Sequence, residues 1–202
     1  MSSHRVTRGN GTLENWLAKQ RCDIAQKLIP SNSRAGRLLD IGCGTRPYFL
    51  LHTEFTEKHG LDKTVDAAGV DCSAGQNISL RHYDIEREDL MPFDEHYFDV
   101  ITMLAIIEHI EPDQLVGKLM EIRRILKPGG VFIATTPAAW SDGLLKGMAR
   151  INLVSAEEIQ EHKAAYTHQK LRYSLHSAGF GKQSIQCGYF EFYLNLWVTA
   201  MK

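Results

Sequence analysis

The segment Leu38-Leu39-Asp40-Ile41-Gly42-Cys43-Gly44-Thr45 constrains this chain more than any other. An apolar run of strand length reaches an acid and then breaks into two glycines one residue apart, which reads as a buried strand ending in a sharp turn. Glycine lets the backbone reverse there and come close to a ligand. Many doubly wound sheets hold a nucleotide at such a turn, so the two glycines alone mark a site and leave its ligand open. Their neighbours narrow the choice. A dinucleotide fingerprint would place a third glycine at position 47, where this chain has Pro47, and that argues against a pyrophosphate seated on the following helix. Asp40, just before the first glycine, would repel a phosphate and attract a cationic amine.

The flanking sequence alternates helix and strand signals. Apolar residues recur at Leu13, Trp16, Leu17, Ile24, Ala25 and Leu28, with Thr12 as N-cap and Pro30 beyond the end, which predicts an amphipathic lead-in helix to Ile29. Arg37 to Ile41 is the buried strand, and Tyr48 to Phe55 a helix after it. The strand candidate Phe98 to Leu104, the helix Pro112 to Leu126 and the strand Val131 to Thr136 make a parallel crossover unit. Lys127 to Gly130 stop that helix, and Pro137 ends the strand after it. Ser155 with Glu158 forms a capping-box pattern that predicts a helix to about Ala165, and Thr167 caps a last helix closed by Gly179. Ser184 to Phe192 and Leu194 to Met201 are joined by so short a link that they pair antiparallel.

A chain of 202 residues with 44% hydrophobic residues is expected to bury one core in a single domain. The net charge of -1 gives no basic excess for nucleic acid, and none is expected as a partner; Arg123, Arg124 and Lys127 read as surface charge at a helix end. Met1 to Gly11 is polar, is expected to be disordered, and lacks the apolar run of a signal peptide. The longest apolar run, Phe98 to Ile107, is too short for a membrane span. Cys22, Cys43, Cys72 and Cys187 are scattered, which predicts neither disulfides nor zinc and fits a cytoplasmic protein. Glu161-His162-Lys163 with His168 spells out no carboxylate-histidine triad; it reads as a solvated helix face, and no metal site is expected.

Leu-Asp-Ile-Gly-Cys-Gly resembles the first motif of the class I S-adenosylmethionine-dependent methyltransferases, and three further segments agree in order and spacing. Asp84-Ile85-Glu86 with Met91-Pro92-Phe93 is similar to the acidic turn after the family's third strand and the element leading to its fourth. Phe98-Asp99-Val100 through Leu104, followed by Glu108-His109-Ile110, resembles the fourth strand and the turn beyond it. Leu126-Lys127-Pro128-Gly129-Gly130 resembles the turn before the fifth strand. The matches cover Leu38 to Pro137, half the chain. The resemblance implies a three-layer α/β/α Rossmann-like fold with a seven-stranded, mostly parallel sheet and an antiparallel last strand. It divides the chain into a lead-in helix (12–36), a cofactor-binding core (37–137), a substrate-side cover (138–167) and a C-terminal helix and strand pair (168–202).

The resemblance also implies S-adenosylmethionine as cofactor and a small-molecule acceptor. Asp40, Gly42, Cys43 and Gly44 would then hold the methionine end, Asp84 and Ile85 would lie against the adenine, and the backbone near Met103 and Leu104 would form the sulfonium side. An acid at the end of the second strand should accept both ribose hydroxyls. Two residues compete for that place. Asp71, in Gly69-Val70-Asp71, has the better local pattern, whereas Asp62 leaves room for a helix on either side of its strand and is favoured on that ground. Arg46-Pro47-Tyr48 departs from the family where many relatives carry glycine. Methyl transfer needs alignment above all and a base only for some acceptors. His109 is the candidate base for a hydroxyl acceptor; the plainer alternative is that it orders the turn before Pro112. Trp16, Trp140 and Tyr166 are candidates for a substrate pocket or for packing. Two other functions stay open: a nicotinamide-dependent oxidoreductase, and a methyltransferase-like domain that serves as a scaffold.

Overall fold

The computed structural model describes residues 13–66, 70–71, 77–150, 153–154 and 162–202. Among these, the strands are β1 (Arg37–Ile41), β2 (Glu57–Asp62), β3 (Val70–Asp71), β4 (Ile78–His82), β5 (Phe98–Leu104), β6 (Leu126–Pro137), β7 (Ile185–Phe190) and β8 (Asn195–Met201). The helices are α1 (Glu14–Leu28), α2 (Tyr48–Leu51), α3 (Leu115–Ile125), α4 (Asp142–Arg150) and α5 (His168–Ser177).

One sheet runs in the order β3-β4-β2-β1-β5-β6-β8-β7. β4, β2, β1, β5 and β6 are mutually parallel, and β8 lies antiparallel between β6 and β7. These seven strands are the expected mostly parallel sheet with an antiparallel last strand. The two-residue β3 adds an antiparallel edge beyond β4.

Both faces of the sheet are covered, which explains why β1 reads as a continuous apolar run rather than an alternating one. Leu38 packs toward Cys22, Ala25 and Ile29 at α1, while Leu39 packs toward Leu119 and Ile122 of α3 and Leu171 and Leu175 of α5. Leu38 and Leu39 are fully buried, and each such side chain contributes about 2 kcal/mol of hydrophobic stabilisation. From β1 the chain winds outward through β2 and β4, then returns to β5 and winds the other way. The reversal between β1 and β5 is the switch point at which such sheets open a crevice.

Several elements differ from the sequence reading. The helix after the glycine turn stops at Leu51 instead of Phe55. Buried Lys58 donates from Nζ to Leu50 O (2.8 Å) and Thr53 O (3.3 Å), so β2 itself supplies a partner for carbonyls at the end of that helix. Between β2 and β4 the described residues form no helix, only the β3 edge. Residues 112–114 form a turn, so α3 starts at Leu115, and Leu126 leaves the helix to open β6 opposite Phe98. The Lys127–Gly130 turn therefore lies inside β6, and a register shift against β5 between Phe98 and Val100 absorbs it. Thr167 caps α5 as expected, accepting from Lys170 N (3.3 Å). Of the helix expected from Ser155, residues 155–161 lie outside the described residues, as do Met1 to Thr12; His162 to Ala165 are not helical.

Candidate active site

The loops leaving the carboxyl ends of β1, β2, β4 and β5 wall a cavity of about 380 Å³, within the size range of small-molecule pockets. The turn after β1 forms its floor. Gly42 (φ +78°) and Gly44 (φ +69°) adopt left-handed conformations that favour glycine. A Cβ added at Gly42 would lie 2.1 Å from Ile106 Cδ1, so this turn packs directly on the one after β5. At Gly44 an added Cβ would meet nothing nearer than Arg46 N at 4.0 Å, so glycine there leaves the cavity wall open.

The turn is tied to the end of β2. Gly42 N and Cys43 N donate to Leu61 O (2.7 and 3.3 Å), and Gly44 N donates to Asp62 Oδ2 (2.9 Å). Thr64 donates from its backbone N (2.8 Å) and its hydroxyl to Asp62 Oδ1. Asp62 thus closes β2 at the carboxyl edge, opposite His82, the last residue of β4. Asp71 lies opposite Ser79, toward the amino end of β4. The acid that ends the second strand is Asp62.

Asp40 lies deeper. Only 5% of it is exposed, and burial pushes its carboxyl up to about 7. The hydrogen bond from Thr102 Oγ1 (2.6 Å) opposes that rise, and the charge of Asp62 adds to it. Across the cavity, Ala105 takes a left-handed φ of +58°, an uncommon state for a residue with a side chain. Its N–H is anchored to Thr135 O (3.0 Å) and Thr135 Oγ1 (3.1 Å). Glu86 on the β4 side accepts from Lys163 Nζ (2.7 Å) and Lys63 Nζ (2.8 Å), and these bonds hold its carboxyl down at about 2.

Of the residues singled out from sequence, Asp40, Gly42, Cys43, Gly44, Asp62, Ile85, Leu104 and His109 line this cavity. Met103 and Asp84 do not. Met103 points into the core and is fully buried, because alternation along β5 turns it away from the site. Asp84 accepts from Glu86 N (3.0 Å) and lies 3.6 Å from Arg87 Nε; its carboxylate shapes the turn that carries Ile85 and Glu86. Trp16 and Trp140 are exposed, and Tyr166 is buried in the core, so none of these aromatics lines the cavity. Arg124 is more than surface charge: it grips Glu121 through Nε (2.8 Å) and Nη2 (2.7 Å) and reaches Phe93 O (2.8 Å).

Sequence reading did not single out the residues that form the roof and one wall. Ala18, Arg21 and Cys22 of α1 face the cavity, and the small residues Ala18, Cys22 and Ala25 at helical spacing were the available signal for close approach. Tyr83, Lys63 and Glu86 also line it. His168 bonds Gly188 O (3.1 Å) and rests on Tyr189, whereas His162 lies edge-on to His109 with ring centroids 5.3 Å apart.

A sheet of this order, with its crevice at the β1/β5 switch point and an acid closing β2, defines a Rossmann-like nucleoside-binding fold. A family model described as a methyltransferase domain matches residues 13–185, and the chain belongs to that family. It is a class I S-adenosylmethionine-dependent methyltransferase domain. It is 32% identical over 105 residues to a ubiquinone biosynthesis O-methyltransferase of Maricaulis maris, covering 50% of this chain and 40% of the relative. It is 35% identical over 125 residues to a sterol 4-C-methyltransferase of Caenorhabditis elegans, covering 60% and 36%. The chain thus spans well under half the length of these two curated relatives. The structure superposes on a SAM-dependent methyltransferase from Archaeoglobus fulgidus with a TM-score of 0.67 at 18% identity, covering 95% of this chain and all of that one. None of the described helices is long and apolar enough to cross a membrane.

Proposed function

We propose that this chain transfers a methyl group from S-adenosylmethionine to the hydroxyl of a small, largely apolar molecule, such as a lipid- or sugar-linked metabolite. The observation that carries the reading is the cavity: it joins a glycine turn, two buried acids and a single imidazole at the switch point of the sheet. When bound, S-adenosylmethionine supplies an electrophilic methyl on a sulfonium that is already a good leaving group. The protein's task is therefore alignment and exclusion of water.

Gly42, Cys43 and Gly44 offer backbone at the cavity floor, and Asp40 beneath them supplies negative charge for the ammonium of the methionine end. Asp62, held by Gly44 and Thr64, accepts the ribose hydroxyls. Ile85 forms the apolar wall for the adenine, with Asp84 fixing its turn from behind. The left-handed turn at Ala105 presents the backbone after Leu104 to the sulfonium, with Met103 packed behind it. His109 faces the acceptor and assists departure of its proton. The two relatives above, named for ubiquinone biosynthesis and for a sterol, support an apolar small-molecule acceptor.

The test is incubation with methyl-labelled S-adenosylmethionine and a panel of hydroxylated aromatic, sterol and glycolipid acceptors. Label should enter an O-methyl product. His109→Ala should lower turnover about 100-fold while S-adenosylhomocysteine affinity stays within about twofold. Label found on carbon, or unchanged turnover in the variant, would refute the hydroxyl assignment.

A further inference from the structure

Next to the acceptor side of the cavity, three side chains converge from two distant parts of the chain. Glu108 and His109 follow β5 in a short turn of 3-10 helix; Glu108 is buried, with 2% of its surface exposed, and His109 lines the cavity. His162 comes from the segment that follows α4. One ligand atom from each residue, a carboxylate oxygen and two imidazole nitrogens, all lie within 4.8 Å of one another. Donors around a single divalent ion bonded at about 2.1 Å sit roughly 3 to 4 Å apart, so small side-chain rotations close the set.

The convergence is built rather than incidental. Lys163 N and Ala164 N donate to Glu108 O (2.8 and 3.3 Å), pinning the segment beside the turn. Lys163 Nζ is gripped by Glu86 (2.7 Å) and Glu111 (3.4 Å) on either side. The Tyr166 hydroxyl is buried with no hydrogen-bond partner among the described residues. Two imidazoles and one carboxylate are the donor set of zinc and its first-row neighbours, and three protein ligands leave positions open for a substrate.

We propose that Glu108, His109 and His162 bind one divalent transition-metal ion, and that this ion takes the acceptor hydroxyl as a further ligand. The binding half stands on the geometry alone; the second half rests on the methyl-transfer reading and specifies how His109 assists there. A hydroxyl ligated to such an ion ionises near neutral pH, releasing its proton to solvent. Its oxygen pair then forms the new carbon–oxygen bond as the methyl carbon–sulfur bond breaks. The departing pair neutralises the sulfonium, one proton is released in all, and no redox change is needed. His109 acts as a ligand in this scheme, and the ion does the work assigned above to a base.

The experiment uses the full chain without an affinity tag, stripped with chelator and titrated with cobalt(II) alone. Visible d–d bands should saturate at one equivalent and be displaced by zinc. His162→Ala and Glu108→Gln should each weaken cobalt binding about 100-fold or more. S-adenosylhomocysteine titration and thermal melting of the same variants separate loss of metal from loss of fold. Wild-type protein that binds cobalt no better than His162→Ala would overturn the site. Metal binding by a protein that binds no S-adenosylhomocysteine would keep the site and remove the methyl-transfer reading instead.

Discussion

The two sides of the cavity are built in opposite ways. The core of the proposed cofactor side comes from one stretch of chain, Asp40 to Asp62, in which the end of β1, the turn after it and the end of β2 lock to one another through Gly42, Cys43, Gly44 and Asp62. The acceptor side joins the turn after β5 to a segment after α4, through backbone bonds from Lys163 and Ala164 to Glu108 and ion pairs to Glu86 and Glu111. Local hydrogen bonds between consecutive elements fix the first side. The second is held by two backbone bonds between distant segments and by partly exposed ion pairs, which individually stabilise by only about 0 to 1 kcal/mol.

The largest effect should come from breaking the cradle. Asp62→Ala removes the anchor of Gly44 and the carboxylate proposed to accept the ribose hydroxyls, and should weaken S-adenosylhomocysteine binding about 100-fold, while Asp71→Ala should change it by less than about twofold. Calorimetric titration of the pair decides this, and the reverse order would undo the assignment of the second-strand acid. Gly42→Ala should come next. The left-handed φ and the collision with Ile106 together should lower stability by about 3 kcal/mol, read by thermal or denaturant unfolding. Adding Ile106→Ala should recover only the part due to collision.

A titration effect sharpens the comparison further. Asp40 is pushed up to about 7, so below that pH it is protonated in the free protein and presents no charge to an ammonium group. Affinity for S-adenosylmethionine should therefore rise about tenfold between roughly pH 6 and 8, and Asp40→Asn should flatten that rise. The same shift acts on folding. The folded chain holds a proton that the unfolded chain releases from about pH 4 upward, so this group's contribution to stability is full below about pH 4 and is lost as pH rises toward 7. The smallest effect belongs to the acceptor wall. Lys163→Ala should lower melting stability by less than about 1 kcal/mol yet slow turnover several-fold with cofactor affinity unchanged. Equal losses in affinity and turnover would mean that the two sides are one unit.

The same contrast decided what the sequence could reveal. Asp40, Gly42 and Gly44 sit in one strand-turn stretch, where apolar runs and glycine report directly on structure, and Asp62 was favoured over Asp71 by spacing alone. Leu104 ends β5, and Ile85 and His109 lie in the turns after β4 and β5, so they too were legible. For Asp84 and Met103 the strand-end positions were legible, but which way each side chain faces was not. Met103 points into the core and Asp84 bonds its own turn. The approach of His162 to His109 left no trace in spacing, since contacts between distant segments have no sequence period. The end of α2 was hidden similarly, because it depends on Lys58 reaching back from β2.

The most direct test of the account is calorimetric titration of the intact protein with S-adenosylmethionine and S-adenosylhomocysteine, with NAD as control. Binding of both adenosyl compounds at one site per chain with micromolar affinity, and none of NAD, is the predicted result. Failure to bind either adenosyl compound, or tight binding of NAD, would contradict it.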